Sequence, residues 1–258
     1  MRSLGEESLK QSKSEFWSGE EYDAQYGSAY ASEISFLREL LSSQKASSLL
    51  DVCCGTGLVT IPLSKKLSHV VGIDFSSSMV NFAIQKSSAM SNLTFYEMDA
   101  VDFNLGTEFD VIAMTGNAFQ AFISDSDLLS MLKRVKNHMS ATSTFVFDSR
   151  LPSPENLEET ERYEYWTTYT STSGEKVNVY GRDSFHPQLN DTMLHYIRRK
   201  YESGEQYYSQ IELKYRSVDE IVKCLESTGL QLVECYADWE KTPLTKASNS
   251  IVGVVSAL

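Results

Sequence analysis

The sequence predicts an α/β fold: a doubly wound, Rossmann-like sheet of seven mostly parallel strands with helices on both faces, plus an inserted antiparallel β-sheet. Between residues 48 and 148, short apolar runs alternate with helical stretches, which is typical of a parallel sheet with crossover helices. Residues 151–216 instead alternate aromatic and polar side chains in the manner of antiparallel strands. Right-handed crossovers make the first pattern a doubly wound sheet.

The first half supplies the elements of the parallel sheet in strict alternation. The segment 16–41 is predicted to be helical, because Tyr22, Tyr26 and Tyr30 recur at four-residue spacing and share one face. The following strands are predicted at 48–53, 70–73, 93–98, 109–114 and 144–147, with helices at 58–67, 77–87 and 126–139. A serine caps the second of these helices, and leucines at helical spacing identify the third.

The second half first leaves this pattern and then resumes it. Strands are predicted at 163–169, 176–180, 193–197 and 207–213, with turns at Gly174 and 188–191. A helix at 218–230 and strands at 231–237 and 251–257 complete the main sheet, and the last strand is expected to be antiparallel to its neighbours. The predicted divisions are an N-terminal helical cap (1–45), an α/β core (46–150), an inserted β region (151–216) and a completion of the core (217–258).

Composition and charge exclude several classes of protein. The chain has 258 residues, 41% of them hydrophobic, which is enough for a substantial core. Its net charge of -12 repels phosphate backbones, so no bulk nucleic-acid binding is expected, although a local basic patch at residues 198–200 stays possible. No apolar run is long enough to span a membrane, and the polar N-terminus lacks the features of a secretory signal. The four cysteines show no metal-ligand spacing, so we expect no metal and a reduced, cytoplasmic location.

Acidic residues and glycines follow the first three predicted strands, where ligands bind in doubly wound sheets. Asp51 ends the first strand, and Gly55 and Gly57 let the chain turn sharply there. Asp74 ends the second strand, where its carboxylate can accept hydrogen bonds from a ribose diol. Asp99, followed by Ala100, ends the third strand, where a carboxylate can accept from an adenine amino group. Together these residues predict a site for an adenosine.

Two other kinds of nucleotide site also use closely spaced glycines: dinucleotide sites and P-loops. A dinucleotide site prefers a third glycine, but Thr60 stands at that position. A P-loop is excluded because no Gly-Lys-Ser/Thr sequence follows. Each acid taken alone is also compatible with an ordinary cap or turn residue, and Asp51 suits the amino group of a methionine better than it suits a dinucleotide.

Residues 49–57, 71–79 and 99–103 resemble the successive cofactor motifs of class I S-adenosylmethionine (SAM)-dependent methyltransferases. Within that superfamily the chain resembles small-molecule N-methyltransferases of the amino-sugar type, which share Tyr22-Asp23 and the acid pair after the third strand. It also resembles uncharacterised bacterial methyltransferases, at residues 115–120 and 237–239. The resemblance implies a SAM-dependent enzyme that releases S-adenosylhomocysteine (SAH) and methylates a small-molecule acceptor, with N slightly favoured over O.

The resemblance also implies a role for individual residues. Asp51, Gly55 and Gly57 would hold the methionine end of SAM, and Asp74 would bind the ribose hydroxyls. Phe75 and Met79 would flank the adenine, while Asp99 and the backbone N–H of Ala100 would bind its edge. Thr115, after the fourth strand, would lie beside the methionine moiety.

The catalytic group and the acceptor remain open at this point. The weak catalytic candidates are Tyr22, His186 and His195, and the weak candidates for the pocket wall are Asp148, Arg150, Trp166 and Trp239. His69 and His138 are interpreted as surface residues. The N-terminal tyrosines either pack on the core or cap the cofactor, and the inserted sheet is either a lid over the acceptor or the interface of a homodimer. The alternatives for function are a non-catalytic SAM- or nucleotide-binding regulator and a methyltransferase acting on protein or RNA.

Overall fold

The computed structural model describes residues 15–258 and contains two β-sheets. The helices are α1 (Gly19–Tyr26), α2 (Ala31–Ser43), α3 (Thr60–Ser64), α4 (Ser77–Ser87), α5 (Asp125–Asn137) and α6 (Val218–Ser227), with a short 3-10 helix at Ala118–Ala121. The strands are β1 (Ser48–Val52), β2 (His69–Asp74), β3 (Leu93–Glu97), β4 (Phe109–Met114), β5 (Met139–Arg150), β6 (Glu164–Thr170), β7 (Lys176–Phe185), β8 (Thr192–Tyr201), β9 (Gln206–Lys214), β10 (Leu230–Tyr236) and β11 (Ser250–Ala257).

The central sheet has seven strands in the order β10-β11-β5-β4-β1-β2-β3. Strands β1 to β5 pair in parallel, whereas β11 runs antiparallel to both β5 and β10. The prediction of a doubly wound sheet with an antiparallel last strand is therefore confirmed. The carboxyl ends of β1, β2 and β4 meet near one edge of this sheet, and the order of the strands reverses between β1 and β4 there.

Both faces of the central sheet are covered by apolar side chains. One layer joins α2, α3 and α4 to the sheet through residues such as Phe36, Leu63 and Val80. The other layer joins α5 and α6 through residues such as Leu132 and Leu225. Burial on both faces explains why β1, β2 and β4 are continuous apolar runs rather than alternating ones.

The second sheet, which we call the inserted sheet, comprises β6 to β9 in sequence order, with every pair antiparallel. Its inner face packs Val177, Val179 and Ile197 against Ala24 of α1. After β9, the buried guanidinium of Arg216 donates to the carboxylate of Asp125 at 2.8 Å. The inserted sheet is thus attached both to the N-terminal helix and to the start of α5.

The structure differs from the predicted elements at several boundaries. The helical segment 16–41 is two helices, because the chain turns between Gly27 and Tyr30. The helix predicted at 58–67 is regular only over Thr60–Ser64, and the strand predicted at 144–147 extends over Met139–Arg150. His138 is buried rather than at the surface: its Nδ1 contacts the carbonyl of Arg134, and its Nε2 accepts from the N–H of Leu105.

Two further expectations concern the predicted regions of the chain and membrane-spanning segments. Residues 1–14 of the predicted N-terminal cap lie outside the described range, and the division of the chain into four regions stays a prediction. Within residues 15–258, no helix is both long and apolar enough to cross a membrane.

Candidate functional site

The loop after β1, residues 53–57, turns sharply because several of its residues adopt left-handed backbone conformations. Cys53, Gly55 and Gly57 have φ values of 61°, 54° and 77°. A Cβ at Gly55 would meet no other heavy atom within 4 Å, whereas one at Gly57 would lie 2.7 Å from the ring of Phe95. Gly55 therefore leaves the loop backbone open to a ligand, and Gly57 lets the loop pack closely on the sheet. We call residues 53–57 the glycine loop.

Asp51, at the end of β1, is a buried carboxylate that is only half satisfied. Its Oδ2 accepts a hydrogen bond of 2.5 Å from the hydroxyl of Thr60, while its Oδ1 has no hydrogen-bond partner among residues 15–258. Burial, together with the charge of Asp74, raises the pKa of Asp51 to about 7. A buried acceptor without a donor is costly, so this oxygen suits a ligand that brings a cationic N–H group.

Asp74, at the end of β2, holds the glycine loop in place. Its Oδ2 accepts from the N–H of Gly55 at 2.9 Å, and its Oδ1 accepts from the N–H of Ser76 at 2.9 Å. Burial raises the pKa of Asp74, and these two hydrogen bonds act in the opposite direction. Because a carboxylate can accept about four hydrogen bonds, Asp74 retains acceptor capacity for a diol.

The residues after Asp74 present an exposed aromatic ring beside a buried thioether. Phe75 is 62% exposed, whereas Met79 is 1% exposed. The ring of Phe16 meets Phe75 edge-on, with 6.1 Å between the ring centroids. Aromatic and thioether groups at this position can contact the two faces of a planar ring.

Asp99 and Ala100 form a tight turn after β3. The Oδ1 of Asp99 accepts from the N–H of Val101 at 3.0 Å, and its backbone carbonyl accepts from the N–H of Phe103 at 3.1 Å. The side chain of Asp99 is exposed, while Ala100 is buried. The carboxylate thus has a role in the turn and still faces solvent.

The segment after β4 bends toward both the N-terminal helices and β5. Thr115, which is half-buried, precedes two residues with left-handed backbone, Gly116 (φ 71°) and Asn117 (φ 59°). A Cβ at Gly116 would lie 3.1 Å from the hydroxyl of Tyr30, and the N–H of Asn117 donates to Asp148 at 2.9 Å. The segment is therefore held at the carboxyl edge of the sheet by contacts on two sides.

The N-terminal tyrosines lie together over this edge. The hydroxyls of Tyr22 and Tyr30 are 2.8 Å apart, and the rings of Tyr22 and Tyr26 are stacked at a tilt, 4.7 Å between centroids. Burial raises the pKa of Tyr22 and Tyr26, and it raises that of Tyr30 to about 12. These phenols are therefore neutral at physiological pH, so Tyr22 offers a phenol oxygen rather than a phenolate base.

Asp23 fastens α1 to the glycine loop. Its Oδ1 accepts a 2.5 Å hydrogen bond from the hydroxyl of Thr56, and its Oδ2 pairs with the ammonium group of Lys86 on α4. In the sequence, Asp23 stands out only as part of the Tyr22-Asp23 motif, because its partners are 33 and 63 positions away along the chain. The contact covers the loop with the N-terminal helix.

The two candidate histidines lie in the inserted sheet and its turn. His195 is buried, and both of its ring nitrogens are engaged: Nδ1 with Asp183 at 2.8 Å and Nε2 with the hydroxyl of Tyr215 at 3.1 Å. His186 lies in the turn between β7 and β8, where its Nδ1 accepts from the N–H of Gln188. The geometry brings neither histidine to the residues at the ends of β1, β2 and β4.

Within the described part of the chain, no cluster of three or more His, Cys, Asp or Glu side chains is arranged to bind a metal. The four cysteines, Cys53, Cys54, Cys224 and Cys235, all have free thiols.

Part of the chain is similar in sequence to known methyltransferases. Residues 49–141, from β1 to the start of β5, match a family model described as a methyltransferase domain. A demethylmenaquinone methyltransferase of Staphylococcus carnosus is 40% identical over 75 residues, which is 28% of this chain and 31% of that protein. A dTDP-3-amino-3,4,6-trideoxy-alpha-D-glucopyranose N,N-dimethyltransferase of Streptomyces venezuelae is 34% identical over 96 residues, which is 35% of this chain and 39% of that protein. The chain thus spans less than half the length of the curated relatives it matches.

Solved structures extend the likeness to almost the whole chain. An S-adenosylmethionine-dependent methyltransferase from Clostridium acetobutylicum superposes with a TM-score of 0.77 and 22% identity, covering 92% of this chain and 96% of that one. At this level of identity the likeness establishes the fold alone.

Proposed function

We propose that this chain, whose residues 49–141 match a methyltransferase domain model, transfers a methyl group from SAM to a small-molecule acceptor, with nitrogen slightly favoured over oxygen. The observation that carries the proposal is the buried Oδ1 of Asp51, which lacks a donor beside an open glycine loop. The amino group of the methionine moiety supplies the cationic N–H that this oxygen requires. The amino-sugar N,N-dimethyltransferase among the relatives supports a nitrogen acceptor.

The proposed contacts follow the order of the strands. Asp51, Gly55 and Gly57 hold the methionine end, and Asp74 accepts hydrogen bonds from the ribose hydroxyls. Phe75 and Met79 flank the adenine, and Asp99 with the N–H of Ala100 binds its edge. Thr115 lies beside the methionine moiety, near the hydroxyls of Tyr22 and Tyr30.

The chain's own residues position the reactants and exclude water. SAM supplies a methyl group already activated by its sulfonium, so little covalent help is needed. The neutral tyrosines direct oxygen lone pairs and ring faces toward a cation, which favours a sulfonium or an ammonium group. The contact of Asp23 with Thr56 closes α1 over the loop, which keeps water from the reacting atoms. Both nitrogens of His195 are occupied, so we assign it a structural role.

Affinity for SAH is expected to rise about tenfold between pH 6 and pH 8. Asp51 has a pKa of about 7 without ligand, and the ligand's ammonium group requires the carboxylate, so binding below pH 7 must release a proton. Calorimetry in buffers of different ionisation enthalpy measures both the affinity for SAH and the number of protons released on binding. Asp51→Asn should bind SAH weakly at every pH, and its affinity should not change with pH. If the SAH affinity of the unmodified protein is also independent of pH, the proposed role of Asp51 is contradicted.

Asp99→Asn is expected to weaken SAH binding while leaving the midpoint of thermal unfolding of the ligand-free protein nearly unchanged. The amide oxygen can still accept from the N–H of Val101 and keep the turn, but the new NH₂ group opposes the adenine amino group. Calorimetry and thermal unfolding of the same preparation separate the two effects. If the unliganded protein is destabilised and SAH affinity survives, Asp99 is a turn residue only.

Trp166→Ala tests whether the inserted sheet shapes the acceptor pocket. Trp166 is 45% exposed on the edge strand β6, and its ring lies directly over Gly181. We expect SAH affinity close to that of the unmodified protein and a drop in methyl transfer, because the proposed cofactor contacts lie outside this sheet. A homodimer through β6 is the alternative, and size-exclusion chromatography distinguishes it: a variant that becomes monomeric yet retains full turnover shows that the sheet is an interface.

The activity itself is tested by following SAH release from SAM with panels of small amines and matched alcohols, and by mass spectrometry of the acceptor. We expect SAH and a methylated amine in equal amounts, and none with Asp51→Asn. SAM binding without turnover on any panel indicates the regulator, and methylation only of added protein or RNA indicates a macromolecular substrate. The proposed cytoplasmic location agrees with four free thiols.

A further inference from the structure

A cavity of about 300 Å³ opens at the end of the sheet beside the segment after β4. It lies where β5 ends and β11 begins, next to the first turn of α2. Its lining is mainly polar: the carboxylates of Glu33, Asp148 and Asp238, the guanidinium of Arg150, three asparagine amides and the indole of Trp239. None of the residues assigned above to SAM lines it, so it is a separate space from the proposed cofactor site.

The wall of this cavity contains a buried carboxylate whose charge is not balanced. Asp148 is 7% exposed, yet no Lys, Arg or His among residues 15–258 forms an ion pair with it. Its carboxylate accepts from a neutral donor, the N–H of Asn117 at 2.9 Å, and the indole of Trp239 lines the same cavity. Burial is the main reason that the pKa of Asp148 is raised to about 7, and the nearby charge of Glu33 adds to the effect.

The rest of the lining adds negative charge rather than cancelling it. Glu33 is also without an ion pair in the described range, and burial together with Glu240 raises its pKa. Asp238 accepts from the backbone N–H groups of Glu240 and Thr242, which stabilise its carboxylate form. With three acids and one arginine, the cavity has an excess of negative charge and attracts a cation.

The cavity lies beside the segment that contains Thr115, which is proposed to border the reacting methyl group. Asn117, which donates to Asp148, follows Thr115 by two residues, and Gly116 between them lies against the hydroxyl of Tyr30. Tyr30 is hydrogen-bonded to Tyr22. The cavity is therefore one short segment away from the residues proposed to surround the reacting methyl group.

We propose that this cavity is a subsite for the acceptor, in which Asp148 is the counter-ion of a protonated amine and the side-chain oxygens of the lining asparagines accept from neighbouring hydroxyl groups, since the Nδ2 of Asn156 already donates to two backbone carbonyls. The inference rests on the proposed function, and it specifies which part of the acceptor is recognised and where. Asp148 is a specificity residue in this arrangement: it selects a cationic acceptor over its neutral analogue. Trp239 is a positioning residue, because its indole favours the carboxylate form of Asp148 and packs edge-on against Phe36 with 5.3 Å between ring centroids.

The test uses two probes that differ only in the amine: D-glucamine (1-amino-1-deoxy-D-glucitol) and D-glucitol. SAH affinity is measured first, and each probe is then titrated into the SAH-loaded full chain at pH 8, where Asp148 is ionised. We expect D-glucamine to bind at least tenfold more tightly than D-glucitol. Asp148→Asn should remove this preference and leave SAH affinity within about threefold, while Asp219→Asn, the same change at an exposed site on α6, should behave like the unmodified protein.

The outcomes separate this inference from the proposed function. Equal binding of the two probes, binding of neither, or an unchanged preference in Asp148→Asn overturns the subsite while SAH binding stands. Failure of the unmodified protein to bind SAH contradicts the proposed function instead. If Asp148→Asn does not fold, Glu33→Gln provides the second variant: the subsite requires a reduced preference for the amine, and an unchanged one overturns it.

Discussion

Asp74→Ala is expected to weaken SAH binding by about 1.5–3 kcal/mol, the usual effect of losing hydrogen bonds to a charged group, which is roughly a 10- to 150-fold change in affinity. The carboxylate has two connections in the structure, to the N–H of Gly55 and to the N–H of Ser76. Its removal therefore deletes the acceptor for the ribose hydroxyls and also releases the glycine loop from β2. Calorimetric titration of SAH into the two proteins measures the difference.

The control is Asp219→Ala, which removes an exposed carboxylate on α6 and should bind SAH like the unmodified protein. A folded Asp74→Ala protein with unchanged affinity contradicts the assignment of Asp74. Tighter binding of NADH than of SAM by the unmodified protein would contradict the entire interpretation of the cofactor site.

Arg199→Met is expected to have the largest effect on stability. The guanidinium is buried and contacts both carboxylate oxygens of Glu15, at 2.6 and 3.1 Å, and the side-chain oxygens of Gln25 and Ser209. Removal of one partner from a buried ion pair costs about 3–5 kcal/mol, because the other charge stays buried without compensation. Glu15 can escape this cost by taking up a proton, or if the N-terminal segment separates from the inserted sheet.

The expected result is therefore local detachment before global unfolding. Limited proteolysis should cut the segment before α2 faster in Arg199→Met, and urea denaturation should show reduced stability. Adding Glu15→Gln should restore part of the loss, since the uncompensated charge is gone. Arg182→Met is the control, because Arg182 packs over the ring of Tyr196 rather than in a buried ion pair. If the single and double variants are equally destabilised, the ion pair is not the cause.

The main sheet was predictable because burial on both faces leaves an unmistakable pattern of short apolar runs. The same pattern located Asp51, Asp74 and Asp99, since ligand-facing residues follow the strands directly. The break between Gly27 and Tyr30 was missed because the tyrosine spacing continues across it, although Gly27 was an available signal for the end of a helix. The polar first half of β5 resembles a loop; Met139 pairs with Phe109 of β4, and regular pairing resumes only at Thr144, after a register shift.

Partners that are distant in sequence could not be predicted. His138 was interpreted as a surface residue because it follows a helix, but its burial depends on Phe103 and Leu105, some thirty positions earlier. Asp148 and Trp239 are separate candidates for the pocket wall in the sequence, and nothing in a single sequence indicates that they line one cavity. Such pairs arise when two strands or loops meet in the fold, and no local propensity encodes them.

The two attachments of α1 have a consequence for the timing of turnover. Asp23 ties this helix to Thr56 of the glycine loop, and Glu21, two residues earlier, accepts hydrogen bonds from Tyr169 and Thr172 of the inserted sheet. A displacement of α1 that exposes the loop must also disturb the sheet. If the chain acts as proposed, we expect release of SAH and of the methylated product to require the same displacement of α1; lid motions of this kind occur on the microsecond-to-millisecond scale and set the rate of many enzymes.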